Sequence, residues 1–171
     1  RRYAGEILRM EIKGHRVHGL LAEQMVKAEK EFYLSITLQG VSEPTLIASR
    51  MGGMDIETVS KEHPEEIVKL PIDPFTGLKG YQFNYLAKKL QAEDRQDLFS
   101  LVKKVEEAFF RAGALLVEIN PLGTVDGKLV AMDSKFVIDG HAPHMEGKMA
   151  QLEEARKRLY RYETPEKEAT T

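Results

Sequence analysis

The stretch that decides the fold runs from Ala114 to Val137 and reads ALLVEINPLGTVDGKLVAMDSKFV. Two segments of it, Ala114–Leu122 and Leu129–Val137, are rich in aliphatic and β-branched residues, and Asp126-Gly127 lies in the link between them. An Asp-Gly pair between alternating hydrophobic residues is the strongest local signal of a β-hairpin, because both turn residues need a positive φ. The stretch therefore predicts two antiparallel strands joined by a tight turn.

This turn also predicts which side chains of the hairpin face each other. An equal count back from the two turn residues places Asn120 opposite Asp133 and Glu118 opposite Lys135. Side chains alternate between the two faces along a strand, so these four polar residues are predicted to form one cluster on one face. The other face is predicted to hold the apolar residues Val117, Ile119, Val130, Met132 and Phe136.

The polar cluster has two interpretations. Facing Cβ atoms lie about 4.5–5.5 Å apart, and Mg²⁺ is held by one or two carboxylates together with water and phosphate oxygens. Asn120 and Asp133 fit such a site, which leaves positions open for a nucleotide. The alternative is a structural network in which Asn120 caps the strand end, Glu118 pairs with Lys135 and backbone amides satisfy Asp133. A bulge at Pro121 would shift the register by one residue and separate the pairs.

The remaining sequence predicts an α+β fold, with an antiparallel sheet and flanking helices. Further strands are predicted over His15–Gln24, Phe32–Leu38, Thr45–Ser49 and Ile67–Ile72, and Pro71 confines the last of these to an edge or an end. Helices are predicted over Tyr81–Leu90, Arg95–Ala112 and Glu146–Tyr162, with a short polar stretch over Asp55–Ser60. Gly113 follows the second helix, where a left-handed C-terminal cap is needed, and Gly52-Gly53 is interpreted as a backbone turn.

Composition excludes several classes of function. The chain has 171 residues, of which 42% are hydrophobic and 30% charged, and a formal net charge of −2. Such a balance gives no electrostatic footprint for nucleic acid, and no apolar run approaches the ~20 residues that span a membrane, so we expect neither partner. The chain has no cysteine, which excludes disulfides and thiolate chemistry; this fits a reducing compartment, but it also fits a thermophile or chance.

Five runs of sequence resemble the β subunit of succinyl-CoA synthetase, in the order found in that family. They are LLAEQMVKAEKEFYLSITL from Leu20, LIASRMGGMDIETV from Leu46, KLPIDPFTGLKGYQ from Lys69, and the hairpin segments LVEINPL and LVAMDSKFVIDGHA. The resemblance spans most of residues 7 to 145 and implies the second lobe of an ATP-grasp fold, as a partial domain. ADP-forming acetyl-CoA synthetase, malate-CoA ligase and ATP-citrate lyase share this fold.

The same resemblance implies roles for residues of the hairpin. Asn120 and Asp133 correspond to the magnesium ligands of the family. Glu118 corresponds to the glutamate that stabilises the phosphohistidine loop of the partner α subunit, since a carboxylate beside an imidazole favours and orients its cationic form. The Glu118–Lys135 ion pair remains the alternative.

For the nucleotide, the resemblance implies a hinge segment that contains three binding residues. Glu23 and Val26 correspond to residues at the base, which we expect to act through backbone groups. Glu31 corresponds to the acceptor of the ribose hydroxyls, a task that suits a carboxylate because it only accepts hydrogen bonds. We expect Mg²⁺ and ATP/ADP as cofactors, with GTP/GDP as the alternative nucleotide pair.

Taken together, the chain is expected to be part of a ligase that joins a carboxylate to CoA with cleavage of a nucleoside triphosphate, through a phosphohistidine on the α subunit. Residues 1–162 are expected to form the nucleotide-binding region and residues 163–171 a disordered tail. Because the chain starts with Arg1 and not Met, we expect a cut inside a longer polypeptide. We expect this piece of it to be inactive alone and the full-length complex to be the enzyme. A cytoplasmic location, or the mitochondrial matrix in a eukaryote, is expected. The alternatives are a non-catalytic module that kept the fold for subunit contact, and the same domain of an ADP-forming acetyl-CoA synthetase or a malate-CoA ligase.

Overall fold

The structure, a computed structural model, describes residues 2–12, 14–17, 19–139, 148, 150–152 and 154–155. The chain divides into two compact units, of which one comprises Arg1–Met25 and Met145–Thr171 and the other Val26–His144. The predicted tail lies outside the described residues. Within the predicted helix Glu146–Tyr162, the described residues 148, 150–152 and 154–155 are helical.

The strands and the N-terminal helix described in the first unit are short. Helix α1 spans Arg2–Ile7, and strand β1 (Glu11–Ile12) pairs antiparallel with strand β2 (His15–Arg16). The predicted strand over His15–Gln24 is therefore wrong beyond Arg16, since residues 19–24 have no regular secondary structure. The aliphatic residues that suggested a strand are not packed in a core, since Leu20 and Leu21 are 41% and 85% exposed.

The second unit is built on a six-stranded antiparallel sheet in the order β5-β4-β3-β6-β7, with β8 also paired to β6. Its strands are β3 (Lys30–Thr37), β4 (Thr45–Ser49), β5 (Ile67–Pro71), β6 (Ala114–Val125), β7 (Lys128–Ala131) and β8 (Ser134–Ile138). The predicted antiparallel sheet is confirmed. Pro71 lies in the edge strand β5, where a residue without an N–H leaves no central ladder bond unmade.

Three α-helices accompany this sheet: α2 (Ile56–Glu62), α3 (Gly80–Leu90) and α4 (Arg95–Ala112), with a 3₁₀ turn over Pro64–Glu66. The bounds of α4 agree with the prediction because both ends are marked locally. Asp94 accepts hydrogen bonds from the backbone N–H groups of Gln96 and Asp97 at 2.8 and 2.9 Å, and Gly113 ends the helix with φ 59°. In the described part of the chain, no helix is both long and apolar enough to cross a membrane.

One face of the sheet, with α3 and α4, forms the hydrophobic core. Alternate residues of three neighbouring strands supply it together with residues of the two helices. The fully buried members include Leu34, Ile36, Leu46 and Leu122 of the strands and Leu86 and Leu98 of the helices. Helix α4 is fixed to the hairpin by polar contact as well, because Asp97 Oδ2 accepts a hydrogen bond from the Leu129 N–H at 2.8 Å. The sheet therefore has one face closed by helices.

The opposite face of the sheet, which we call the polar face, has a different composition. It holds Tyr33, Ser35 and Thr37 of β3, Ser49 of β4, and Glu118 and Asn120 of β6. This segregation follows from the alternation of side chains along each strand. The polar face is where the predicted site residues of β6 are found.

Strand Leu129–Val137 of the prediction is divided into β7 and β8, with a break at Met132-Asp133. Pro121 lies opposite the break, and its carbonyl accepts a hydrogen bond from the Met132 N–H at 3.1 Å. Because proline has no N–H, the ladder cannot be completed at this point. Val117 and Ile119 belong to the apolar face as predicted, and so does Phe136, which pairs with Val117 at the margin of the sheet and is 45% exposed. The prediction was wrong for Val130 and Met132. Val130 pairs with Gly123, which follows the core residue Leu122 and so lies on the other face, and Met132 lies beside the same glycine.

Candidate functional site

The hairpin register agrees with the prediction. Glu118 pairs with Lys135 across β6 and β8, and the Asn120 N–H donates to the Asp133 carbonyl at 3.1 Å. The turn residues Asp126 and Gly127 have φ values of 50° and 74°, as a two-residue hairpin turn with both residues at positive φ requires. The sequence therefore predicted correctly which residues of the two arms oppose each other.

A bulge is present at Pro121, but it faces β3 and not the hairpin. Phe32 pairs with Leu122 and Leu34 with Ile119, so Asn120 and Pro121 together oppose one residue of β3. The Asn120–Pro121 peptide bond is cis. A bulge adds its extra residue to one strand of a pair, and from Leu116 onward the pairing of β6 with β8 and then β7 keeps a single register. The one-residue shift that would have separated Asn120 from Asp133 and Glu118 from Lys135 is therefore absent.

The Asn120 side chain joins the hairpin to the Gly52-Gly53 turn. Its Oδ1 accepts a hydrogen bond from the Gly53 N–H at 2.8 Å, and its Nδ2 donates to the Met54 carbonyl at 2.9 Å. An amide oxygen has two lone pairs, so Oδ1 keeps one acceptor position beyond the bond to Gly53. The side chain is thus held in place with an oxygen still able to bind a cation.

Asp133 lies at the break between β7 and β8 and is exposed. Its Oδ1 accepts a hydrogen bond from the backbone N–H of Ser134 at 2.8 Å, which orients the carboxylate. One carboxylate and one amide oxygen, supplied by Asp133 and Asn120, are a donor set that suits Mg²⁺ shared with phosphate oxygens. Among the described residues, no three His, Cys, Asp or Glu side chains come together as a metal site.

Glu118 makes a contact within the chain that was not predicted. Its Oε2 accepts a hydrogen bond from Tyr33 Oη at 2.7 Å, and within the described residues no ion pair joins it to Lys135, although the two are paired in the ladder. Burial, more than any other influence, raises the pKa of the Tyr33 hydroxyl, and the bond to Glu118 raises it further. The phenol therefore remains a protonated donor to the carboxylate.

Glu31 lies on β3 beside the same glycine turn. The Gly52 N–H donates to the Glu31 carbonyl at 3.1 Å, and a Cβ placed on Gly53 would lie 2.7 Å from Glu31 Oε2. Gly53 has φ 71°, a conformation that a residue with a side chain rarely adopts. The turn predicted at Gly52-Gly53 is confirmed, and it brings the carboxylate of Glu31 and the amide of Asn120 to one glycine.

The other two predicted nucleotide residues are described only by their local structure. Glu23 belongs to the first unit and Val26 begins the second; both lie in a segment without regular secondary structure, and Val26 is 36% exposed. Their contact with the nucleotide stays a prediction.

Sequence reasoning missed Tyr33 and the bonds that Asn120 makes to the glycine turn. Tyr33 was placed correctly on a strand, but the register between β3 and β6 depends on the bulge, and nothing local in the sequence reveals how two strands so far apart in the chain align. Tyr33 stands two residues after Glu31, which puts both on one face and was the available signal.

Comparison with known proteins bears on the fold. Residues 1–124 match the family model described as an ATP-grasp domain. The chain is 36% identical over 151 residues to the succinate–CoA ligase [ADP-forming] subunit beta 1 of Archaeoglobus fulgidus, covering 86% of this chain and 40% of that subunit. It is 42% identical over 140 residues to the corresponding subunit beta of Rubrobacter xylanophilus, covering 80% of this chain and 37% of that subunit.

A solved structure shows the same fold. The structure of ATP citrate lyase from Methanothrix soehngenii in complex with citrate and coenzyme A has a TM-score of 0.57 and 20% sequence identity, covering 96% of this chain and 36% of that chain. The chain thus spans about two fifths of the length of the curated relatives it matches, as with 40% of the Archaeoglobus subunit. With more than half of its residues matching the family model, the chain belongs to the ATP-grasp domain family.

Proposed function

We propose that this chain is the nucleotide- and magnesium-binding part of the β subunit of an ADP-forming acid–CoA ligase of the succinyl-CoA synthetase type. The observation that carries the proposal is the hairpin register, in which Asn120 opposes Asp133 and Glu118 lies two residues before Asn120 on the same strand. Membership of the ATP-grasp family and similarity to β subunits of succinate–CoA ligases support it.

In this proposal Asn120 Oδ1 and the Asp133 carboxylate hold Mg²⁺. When bound, the ion neutralises negative charge on the phosphoryl groups of the nucleotide. Asn120 is preorganised by its two bonds to the glycine turn, and Asp133 by the Ser134 N–H. Both side chains therefore offer oxygens in fixed directions, which favours binding because less conformational freedom is lost.

The nucleotide is proposed to lie along the hinge segment and the glycine turn. Glu31 accepts hydrogen bonds from the ribose hydroxyls, and the backbone at Glu23 and Val26 contacts the base. ATP and ADP are proposed as the nucleotides because the relatives are ADP-forming ligases. Residues 1–162 are proposed as the nucleotide-binding region.

Glu118 is proposed as the catalytic residue that meets the partner. It orients the imidazole of a phosphorylated histidine on the α subunit and stabilises its cationic form. In the whole complex, succinate or a related carboxylate, CoA and ATP would be converted to acyl-CoA, ADP and phosphate. We also propose a cytoplasmic location, or the mitochondrial matrix in a eukaryote, which the lack of cysteine supports.

The metal site can be tested by isothermal titration of the chain with Mg-ADP. Asp133→Asn removes one carboxylate charge but keeps an acceptor for the Ser134 N–H, and we expect affinity for Mg-ADP to fall at least about tenfold, or about 1.4 kcal/mol. Asp126→Asn is the matched control, because it removes the same charge from the tip of the same hairpin and asparagine suits a turn with positive φ. We expect its affinity to equal that of the wild type.

Two results would contradict the proposal. Equal affinity in all three proteins would mean that Asp133 does not bind the metal. No heat with Mg-ADP in the wild type would favour a non-catalytic module that kept the fold for subunit contact.

A further inference from the structure

Two polar side chains of β3 lie on the polar face beside Glu118 and have no role in the proposed site. Tyr33 and Ser35 are both buried, with 3% and 0% of their surface exposed. Tyr33 Oη donates to Glu118 Oε2 at 2.7 Å. Ser35 pairs with Glu118 in the β3–β6 ladder, yet its Oγ is buried without a hydrogen-bond partner.

The contact between Tyr33 and Glu118 restrains the carboxylate. A glutamate side chain has three rotatable bonds, and fixing a long side chain costs conformational entropy. The hydroxyl of Tyr33 is itself held by burial, so it offers a rigid donor. In the described residues no cation is paired with Glu118, and Lys135 across the ladder makes no ion pair with it. The direction of this carboxylate therefore depends on one phenol hydroxyl.

The chemistry of Tyr33 limits what it can do. Burial raises the pKa of the hydroxyl above its ordinary value; the bond to Glu118 acts in the same direction, and the nearby Ser35 hydroxyl opposes it. A phenol that stays protonated cannot act as a base. It can hold a carboxylate by donating a hydrogen bond, which is stronger when the acceptor is ionised.

We infer that Tyr33 is a positioning residue whose hydroxyl holds Glu118 Oε2 and thereby aims Oε1 at the imidazole of the partner subunit. The inference rests on the proposed role of Glu118. Errors of about 1 Å in the placement of a reacting group can cost about 100-fold in rate. A fixed carboxylate is thus of direct value at a site where the histidine arrives from another protein.

The experiment is a double-mutant cycle in the complex of the full-length β subunit with its α partner. The rate of phosphohistidine formation is measured in single turnovers with γ-labelled ATP for the wild type, Tyr33→Phe, Glu118→Gln and the double variant. We expect Glu118→Gln to slow the reaction on the order of 100-fold and Tyr33→Phe about tenfold. In the Glu118→Gln background, Tyr33→Phe should have no further effect, because the ionised carboxylate that Tyr33 directs at the imidazole is gone.

Thr37→Val is the matched control. It removes a buried hydroxyl from the same strand and face as Tyr33, but one that is bonded to the Leu115 carbonyl and the Gln39 N–H and not to Tyr33 or Glu118, so we expect the wild-type rate. The affinity for Mg-ADP should be unchanged in Tyr33→Phe, since the loss belongs to the transfer step and not to nucleotide binding.

The outcomes separate the inference from the proposed function. If Glu118→Gln is slow but Tyr33→Phe keeps the wild-type rate, or if the two effects multiply in the double variant, Tyr33 does not act through Glu118 and the inference is overturned. If the wild type forms no phosphohistidine, or Glu118→Gln matches the wild type, the proposed function itself fails and the inference falls with it.

Discussion

The two faces of the sheet use the same strands for different purposes. On β3, Leu34 packs in the hydrophobic core while its neighbours Tyr33 and Ser35 lie on the polar face. Leu34 and Ser35 are both fully buried, but one is surrounded by apolar side chains and the other has a hydroxyl without a partner. The difference shows that burial alone does not measure how much a residue stabilises the fold.

Truncation on the core face should have the largest effect. Leu34→Ala removes buried methyl groups and leaves a cavity, so we expect the free energy of unfolding to fall by about 3 kcal/mol. Urea denaturation followed by circular dichroism measures it. Leu38→Ala is the control, because Leu38 follows the same strand and is 39% exposed. A loss of stability as small for Leu34→Ala as for Leu38→Ala would break the distinction between the faces.

The glycine turn should come next. A Cβ on Gly52 would lie 2.5 Å from Phe32 N, so Gly52→Ala must displace backbone and we expect a loss of about 2 kcal/mol in the free energy of unfolding. Gly80→Ala is the matched control, since no atom lies within 4 Å of its added Cβ and a helical position favours alanine. Equal stability of the two variants in urea would show that the turn has room to adjust.

The smallest effect concerns the two buried serines of the polar face. Ser49 Oγ accepts a hydrogen bond from the Met51 N–H at 3.1 Å, so Ser49→Ala should lower the free energy of unfolding by about 1 kcal/mol. Ser35→Ala removes a hydroxyl without a partner and should change stability by less than about 0.5 kcal/mol, toward stabilisation. The same urea titration compares them, and a larger loss for Ser35→Ala would reveal a hydrogen bond that Ser35 makes in solution.

The parts of the molecule that could be predicted are those with local signals. The hairpin register followed from Asp126-Gly127, whose conformation is dictated by two adjacent residues. The bounds of α4 followed from a capping aspartate and a terminal glycine. Asn120 and Asp133 were consequently placed opposite each other without knowledge of any other strand.

The parts that could not be predicted depend on pairing between distant segments. The bond from Tyr33 to Glu118 joins residues 85 positions apart, and its existence requires the alignment of β3 with β6, which the bulge resets. The predicted strand over His15–Gln24 failed for a related reason, because an aliphatic run becomes a strand only where a neighbouring strand accepts its hydrogen bonds. Whether Glu23 and Val26 contact the nucleotide is likewise not a local property.

Because of the bulge on β6, the register of this strand with β3 changes at a point where its register with the second arm of the hairpin does not. In the pairing with β8, the register is constant from Leu116 onward. In the pairing with β3, the register shifts by one residue between Ile119 and Leu122. Deleting one residue at this point would give β6 a continuous register with β3, but it would shift Glu118 and Asn120 out of register with Lys135 and Asp133. Length changes should therefore be tolerated at the hairpin tip, where both arms can grow equally, and be rejected at Asn120-Pro121.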